Sequence, residues 1–262
     1  MVLKLNNTKQ DYEAFEGSNI KEMPKLIADG RVPISVAGLM QRRLDVRNSD
    51  AKVKSSYMDN YFDTGDAVVY HPDGRVKIVL DSQHLRDMTP ESSRNGGALV
   101  LTAENYDALQ GEEFKKGKLG KTGDWLSRAD VKAHPVWKVL ARDQALLNDY
   151  TDYIFTEGKH DTAMGIFPGS ASGETPEMRA WYVCRLGYRS DASGRVDLDN
   201  FIGLGRLLGI APEALSVSGK GASNIRAYTM ADLQAVDEAM QGLEGTLHPD
   251  VLKPFADLRK KL

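Results

Sequence analysis

The segment Asp66–Asp81 constrains the fold most. Ala67-Val68-Val69-Tyr70-His71 and Arg75-Val76-Lys77-Ile78-Val79-Leu80 flank Pro72-Asp73-Gly74. Proline presets φ, the aspartate side chain closes a local turn, and glycine tolerates positive φ. Val76, Ile78 and Leu80 alternate onto one face. This pattern predicts a β-hairpin. A lone hairpin is marginal in water. It must therefore lie on helices or gain a further strand, for which Ala98-Leu99-Val100-Leu101 is the candidate.

Most other signals are helical. Ile20 to Ala28 carries apolar residues at helical spacing, with Pro24 limiting it to short turns. Pro33 to Val46 is a clearer helix, and Arg42 and Arg43 fall largely outside its apolar stripe, on an expected solvated face. Thr102 caps a short helix, Ala103 to Leu109. Ser127-Arg128-Ala129-Asp130 starts another with a capping-box variant. His134-Pro135 then opens the longest predicted helix, Val136 to Thr156, with Asp143 on the same stripe as Leu140 and Leu147. Thr175-Pro176-Glu177 reads as cap, N1 proline and first-turn acid of a helix running to Leu186. Thr229-Met230-Ala231-Asp232 leads one more, to Met240. The expected fold class is α+β, predominantly helical, with a central β-hairpin or small antiparallel sheet packed on helices. The glycine- and serine-rich segment from His160 to Thr175 suggests a boundary. It would separate a helical domain with the hairpin, 1–160, from a C-terminal helical domain or subdomain, 175–262, unless the chain is a single domain.

Composition narrows the function classes. The chain has 262 residues and a formal net charge of −3. A dedicated nucleic-acid binder usually carries a basic excess, so any such contact must come from a local patch. Cys184 is the only cysteine, which excludes an intramolecular disulfide and any multi-cysteine zinc site. The N-terminal residues lack the apolar core of a signal peptide, and no run reaches bilayer-spanning length. The expectation is a cytoplasmic protein with no membrane partner.

Gly205-Arg206-Leu207-Leu208-Gly209-Ile210-Ala211-Pro212-Glu213-Ala214-Leu215 reads as a short helix, a glycine turn and a second helix. A small residue sits four before the turn glycine, and apolar residues follow it directly and five further on. This segment resembles helix-turn-helix DNA-binding modules. More loosely, Ile225-Arg226-Ala227-Tyr228-Thr229-Met230-Ala231-Asp232-Leu233 is similar to the segment that follows the motif in MerR-like and plasmid-partition regulators. The resemblance implies DNA contacts by Arg206, Lys220, Asn224 and Arg226. The chain departs from the pattern at Ser216-Val217-Ser218-Gly219-Lys220-Gly221, where two glycines and two serines weaken the expected reading helix.

Other clusters offer chemistry more thinly. Asp59, Asp63 and Asp66 form one oxygen-rich group, and Asp191, Asp197 and Asp199 another. Neither has EF-hand spacing, and turn-forming acids explain both. Gly169-Ser170-Ala171-Ser172-Gly173-Glu174-Thr175 has the small residues of a phosphate cradle, but Glu174 stands where a lysine belongs. The basic loop from Gly111 to Gly123 reads as an exposed connector. Cys184 is expected to be a buried, inert thiol in an apolar helix. Asp143 requires a basic or hydroxyl partner if its stripe is buried.

No cofactor or metal is expected, and no catalytic residue is assigned. The favoured function is a non-catalytic binding or scaffold protein that recognises another macromolecule. A DNA-binding regulator using 205–215 is the first alternative. An enzyme with a site assembled from distant segments is the second.

Overall fold

The computed structural model describes residues 3–6, 11–115, 117–195, 197–199 and 205–212. All lie within Met1–Ala222, the first of two units into which the chain divides. Strand β1 (Tyr12–Glu16) leads to helix α1 (Asn19–Ala28), the short β2 (Val32–Pro33), α2 (Val36–Asp45) and α3 (Ala51–Met58). The predicted hairpin follows as β3 (Phe62–Tyr70) and β4 (Val76–Val79). Its register sets Tyr70 against Val76 and Ala67 against Val79. The turn is closed by Gly74 N donating to the His71 carbonyl.

After the hairpin come α4 (Gln83–Arg86), β5 (Arg94–Asn95), β6 (Ala98–Val100), α5 (Ala103–Ala108) and β7 (Glu112–Phe114). Helices α6 (Arg128–Ala133), α7 (Pro135–Ala141) and α8 (Gln144–Gly158) are contiguous in the chain, and β8 (Ile166–Phe167), β9 (Glu177–Val183), β10 (Ala192–Ser193) and β11 (Arg206–Ile210) complete the described elements.

The predominantly helical expectation is overturned by the sheet. Eleven described strands form one mixed sheet, with the path β1-β11-β3-β9-β10-β8 at its centre. Two segments read as helices supply its middle. Thr175–Leu186 contributes β9, which pairs antiparallel with β3. Arg206–Ile210 contributes β11, which pairs antiparallel with β1 and parallel with β3 at Leu207 and Asp63. Helical spacing misled because Glu177–Val183 is buried at almost every position. A strand covered on both faces loses its alternation. Strand β6 does join the sheet, against β9 rather than against the hairpin. The segment His160–Thr175 itself contributes β8 to this sheet, in which β9 and β11 pair with strands of the first half.

Both faces are covered. On one, Leu39, Met40, Trp137, Leu140, Leu147, Tyr150 and Ile154 pack against Phe62, Val68, Tyr70, Trp181 and Val183. On the other, Ile20, Met23, Leu26, Leu85 and Tyr106 pack against Ala67, Val69, Met178 and Ala180. Among the described residues no helix is long and apolar enough to cross a membrane.

The long helix predicted from Val136 is two helices. Arg142 takes a left-handed conformation, φ 63°, and ends α7. Asp143 then caps α8 by accepting from Leu146 N at 2.7 Å. Asp143 is exposed, so the expectation of a buried partner is withdrawn: the break rotates it off the apolar stripe. Its neighbour enters the core instead. Arg142 donates to Asp66 Oδ1 at 2.7 Å and to Asp81 Oδ2 at 2.6 Å. Arg43 also departs from the expected solvated face, being fully buried. Arg42 lies over the Tyr12 and Tyr57 rings and donates to the Leu5 carbonyl.

Candidate recognition surface

Strands β9 and β10 are joined by residues 184–191, and this connection carries the most exposed large apolar side chain described, Tyr188, at 58%. Leu186–Tyr188 form a single 3-10 turn. Arg189 and Ser190 follow with φ of 61° and 54°. Neither is glycine, and such conformations cost on the order of 1–3 kcal/mol each. They persist only where the surroundings over-determine them.

Those surroundings begin at Arg43. Its guanidinium donates to the Tyr57 and Asn60 carbonyls, to Tyr150 Oη at 2.8 Å and to Ser190 Oγ at 3.1 Å. Tyr150 Oη and Ser190 Oγ lie 2.7 Å apart. A buried cation thus meets carbonyl and hydroxyl dipoles, which satisfy its donors. Ser190 is fully buried, so this network pins the foot of the turn. Met164 N holds its far side by donating to the Arg189 carbonyl at 2.8 Å.

With its backbone fixed, Arg189 lays its guanidinium 3.8 Å from the centroid of the Trp125 ring. It donates to Thr162 Oγ1 at 3.2 Å. Trp125 is held from its other end, donating Nε1–H to Asp191 Oδ2 at 3.1 Å. Asp191 Oδ1 accepts from Gly165 N at 2.9 Å. Burial pushes the Asp191 carboxyl up, and the bonds from Gly165 and Trp125 oppose that. Arg185 stacks on Tyr188 at 4.4 Å. Two rings and two guanidiniums therefore stand on one turn and its neighbour, paired face to face. Sequence reading missed these four residues. Glycine, arginine, serine and aspartate clustered after Trp181-Tyr182-Val183 were the available signal for a loop between strands.

The residues singled out in the sequence are dispersed. Asp59 accepts from Ser55 Oγ. Asp63 is buried on β3 and accepts from Arg206 N at 2.8 Å. Burial raises its carboxyl to about 6. Asp66 is also buried, and besides Arg142 it accepts from Val36 N and Asp81 N. Asp197 pairs with Arg179 and Asp199 with Arg94. Arg206 sits on a strand, bonded to Asn60 and paired with Glu16. Lys220, Asn224 and Arg226 lie outside the described residues. Cys184 follows β9 rather than lying in a helix, and burial raises its thiol.

The small-residue loop 169–173 does cradle an anion, but it is the protein's own. Glu177 Oε1 accepts from Ser172 N, Ser172 Oγ, Gly173 N and Asn95 Nδ2 at 2.9–3.1 Å.

No protein-family model matches the sequence, and no curated protein matches it. The fold does have a solved counterpart, from work on the accommodation of massive sequence variation in Nanoarchaeota by the C-type lectin fold. The two share 15% sequence identity, and the match covers 78% of this chain and 99% of that one with a TM-score of 0.59. A mixed sheet that carries helices on both faces is thus an α+β arrangement similar to the C-type lectin fold.

Proposed function

We propose that this chain is a non-catalytic binding protein that recognises another macromolecule through the surface around Trp125, Arg185, Tyr188 and Arg189. The observation that carries this reading is Tyr188, exposed on a turn whose strained backbone is held by a buried arginine network. Strain of this kind collects where a loop must present side chains in one geometry. Tryptophan, tyrosine and arginine are also the residues that dominate binding hot spots.

The likeness in fold supports the same reading. The solved counterpart accommodates massive sequence variation. Connecting segments vary more readily than the elements they join, and function is carried by sites set on a fold, which favours a loop surface for recognition. The buried acids favour no catalytic reading, because Asp63, Asp66 and Asp191 each accept backbone N–H bonds that fix them in structural roles.

The test is a screen of the full chain against arrayed peptides and glycans, with recovered ligands checked by mass spectrometry. The expected result is reversible retention of one ligand class, unchanged chemically and lost in Trp125→Ala and Tyr188→Ala. Turnover of a ligand, or retention indifferent to both substitutions, overturns the reading.

A further inference from the structure

We infer that the ligand of this surface is a carboxylate-rich protein segment, which rests on the binding reading above and names its partner by chemistry. The inference starts from charge pairing. Arginines elsewhere in the described residues mostly meet a carboxylate: Arg31 with Glu13, Arg75 with Asp73, Arg142 with Asp66, Arg206 with Glu16. Arg185 and Arg189 have no carboxylate within ion-pair distance among the described residues. They are held instead by aromatic faces, at 4.4 and 3.8 Å.

Stacking engages a guanidinium through its flat face and leaves its in-plane N–H groups for acceptors; Arg189 spends one of them on Thr162. Two such N–H groups match a carboxylate in a two-pronged bond. Because the rings restrict the guanidiniums beforehand, little side-chain freedom is lost when an acid binds. Lys159 is exposed just before this region, and His160 reaches toward the Leu186 carbonyl at 3.4 Å. The nearby acids are largely engaged. Asp191 is bonded to Trp125 and Gly165, and Asp124 is paired with Lys121. Asp161 alone stands exposed on the adjacent turn. Arg185, Arg189 and Lys159 set against Asp191 and Asp161 leave a formal charge of +1 on these residues, in a chain of net charge −3.

A nucleic acid fits less well. Sequence-tolerant strand binders offer open aromatic faces for bases, whereas Arg189 covers one face of Trp125 and Arg185 one face of Tyr188. Trp125 is also tethered through its indole N–H. Aromatic rings framed by arginine suit a protein partner.

The experiment measures fluorescence anisotropy of labelled poly-L-glutamate with the full chain at physiological ionic strength. Mixed-sequence duplex DNA and polygalacturonate are the comparison polyanions. The expected result is that poly-L-glutamate binds at least tenfold tighter than either. Arg185→Gln/Arg189→Gln should weaken it at least tenfold, and Arg47→Gln/Lys138→Gln, which removes equal charge at exposed positions elsewhere, should change it less than twofold. Equal losses in the two double variants, preference for DNA or polygalacturonate, or no binding of poly-L-glutamate overturns the inference. If poly-L-glutamate fails while an arrayed ligand still depends on Trp125 and Tyr188, the inference falls and the binding reading stands. If that dependence is also missing, both fall.

Discussion

Arg142 and Asp66 lie 76 residues apart in sequence and meet at 2.7 Å, where the end of α7 reaches the irregular middle of β3. Asp66 is fully buried, and Arg142 is its one cationic partner among the described residues. Burial raises the Asp66 carboxyl, and the Arg142 charge works against that rise.

Removing the cation should therefore strand a carboxylate. Arg142→Ala is expected to cost about 3–5 kcal/mol, the usual penalty for breaking a buried pair. Asp143→Ala, one residue on, should cost only about 1 kcal/mol, because it removes a helix cap. Urea unfolding of the two variants side by side checks the contrast. Equal losses contradict the assignment of Arg142 to the core.

Asp63 sets a pH dependence. Its folded carboxyl is raised to about 6 by burial, against about 3.9 in an unfolded chain. Between those values the native state binds more protons than the unfolded one. This group therefore makes the protein more stable as pH falls from 7 toward 4, by at most about 3 kcal/mol. Compared with Asp63→Asn, the wild type should gain stability on acidification through that window. Parallel stability curves for the two proteins between pH 7 and 4.5 argue against a raised Asp63.

Trp125 offers an optical readout. It is 40% exposed, while Trp137 and Trp181 are fully buried. Acrylamide should quench one class of tryptophan readily, and Trp125→Phe should abolish that class. Arg189→Ala uncovers a face of the ring and should raise its quenching constant. An unchanged constant means that the guanidinium does not rest on the indole.

The helical layer makes a simpler prediction. Leu140 and Leu147 are fully buried on either side of the α7–α8 break. Replacing either with alanine should cost about 2–5 kcal/mol, depending on how far the cavity collapses. Chemical denaturation that detects no loss for either contradicts their place in the core.

For the DNA alternative, low-salt anisotropy against mixed-sequence duplex is expected to show no salt-sensitive submicromolar binding. Such binding, lost in Lys220→Ala/Arg226→Ala, reinstates it.

Local chemistry was legible where local chemistry decides. The Pro72-Asp73-Gly74 turn, the Thr102 and Ser127 caps and the proline that opens α7 all form as read. What failed was decided at a distance. Arg142 breaks a long apolar stripe because two carboxylates from the hairpin region hold it there, and nothing beside it in sequence announces them. Leu207-Leu208-Gly209-Ile210 is a short apolar run, which spacing cannot assign to helix or strand. It becomes a strand because β1 and β3 flank it. The candidate recognition surface was invisible for the same reason: Arg43, Tyr150 and Ser190 are scattered along the chain and meet only in the core.

The irregularity in β3 has an arithmetic of its own. Asp63 faces Tyr182 and Ala67 faces Ala180, so Thr64, Gly65 and Asp66 together stand opposite Trp181. The detour adds two residues, an even number. Phe62 before it and Val68 and Tyr70 after it consequently keep the same side of the sheet. Loss of a single residue here would invert every side chain beyond it, exchanging Val68 and Tyr70 for Ala67 and Val69 between the two cores. Loss of a pair would preserve that parity and cost the bonds those residues make, which include Thr64 Oγ1 to the Trp181 carbonyl, Gly65 N to the Ile34 carbonyl and Asp66 to Arg142. Length variation at this point is thus quantised: steps of two keep each side chain on its own face, and steps of one reverse them all.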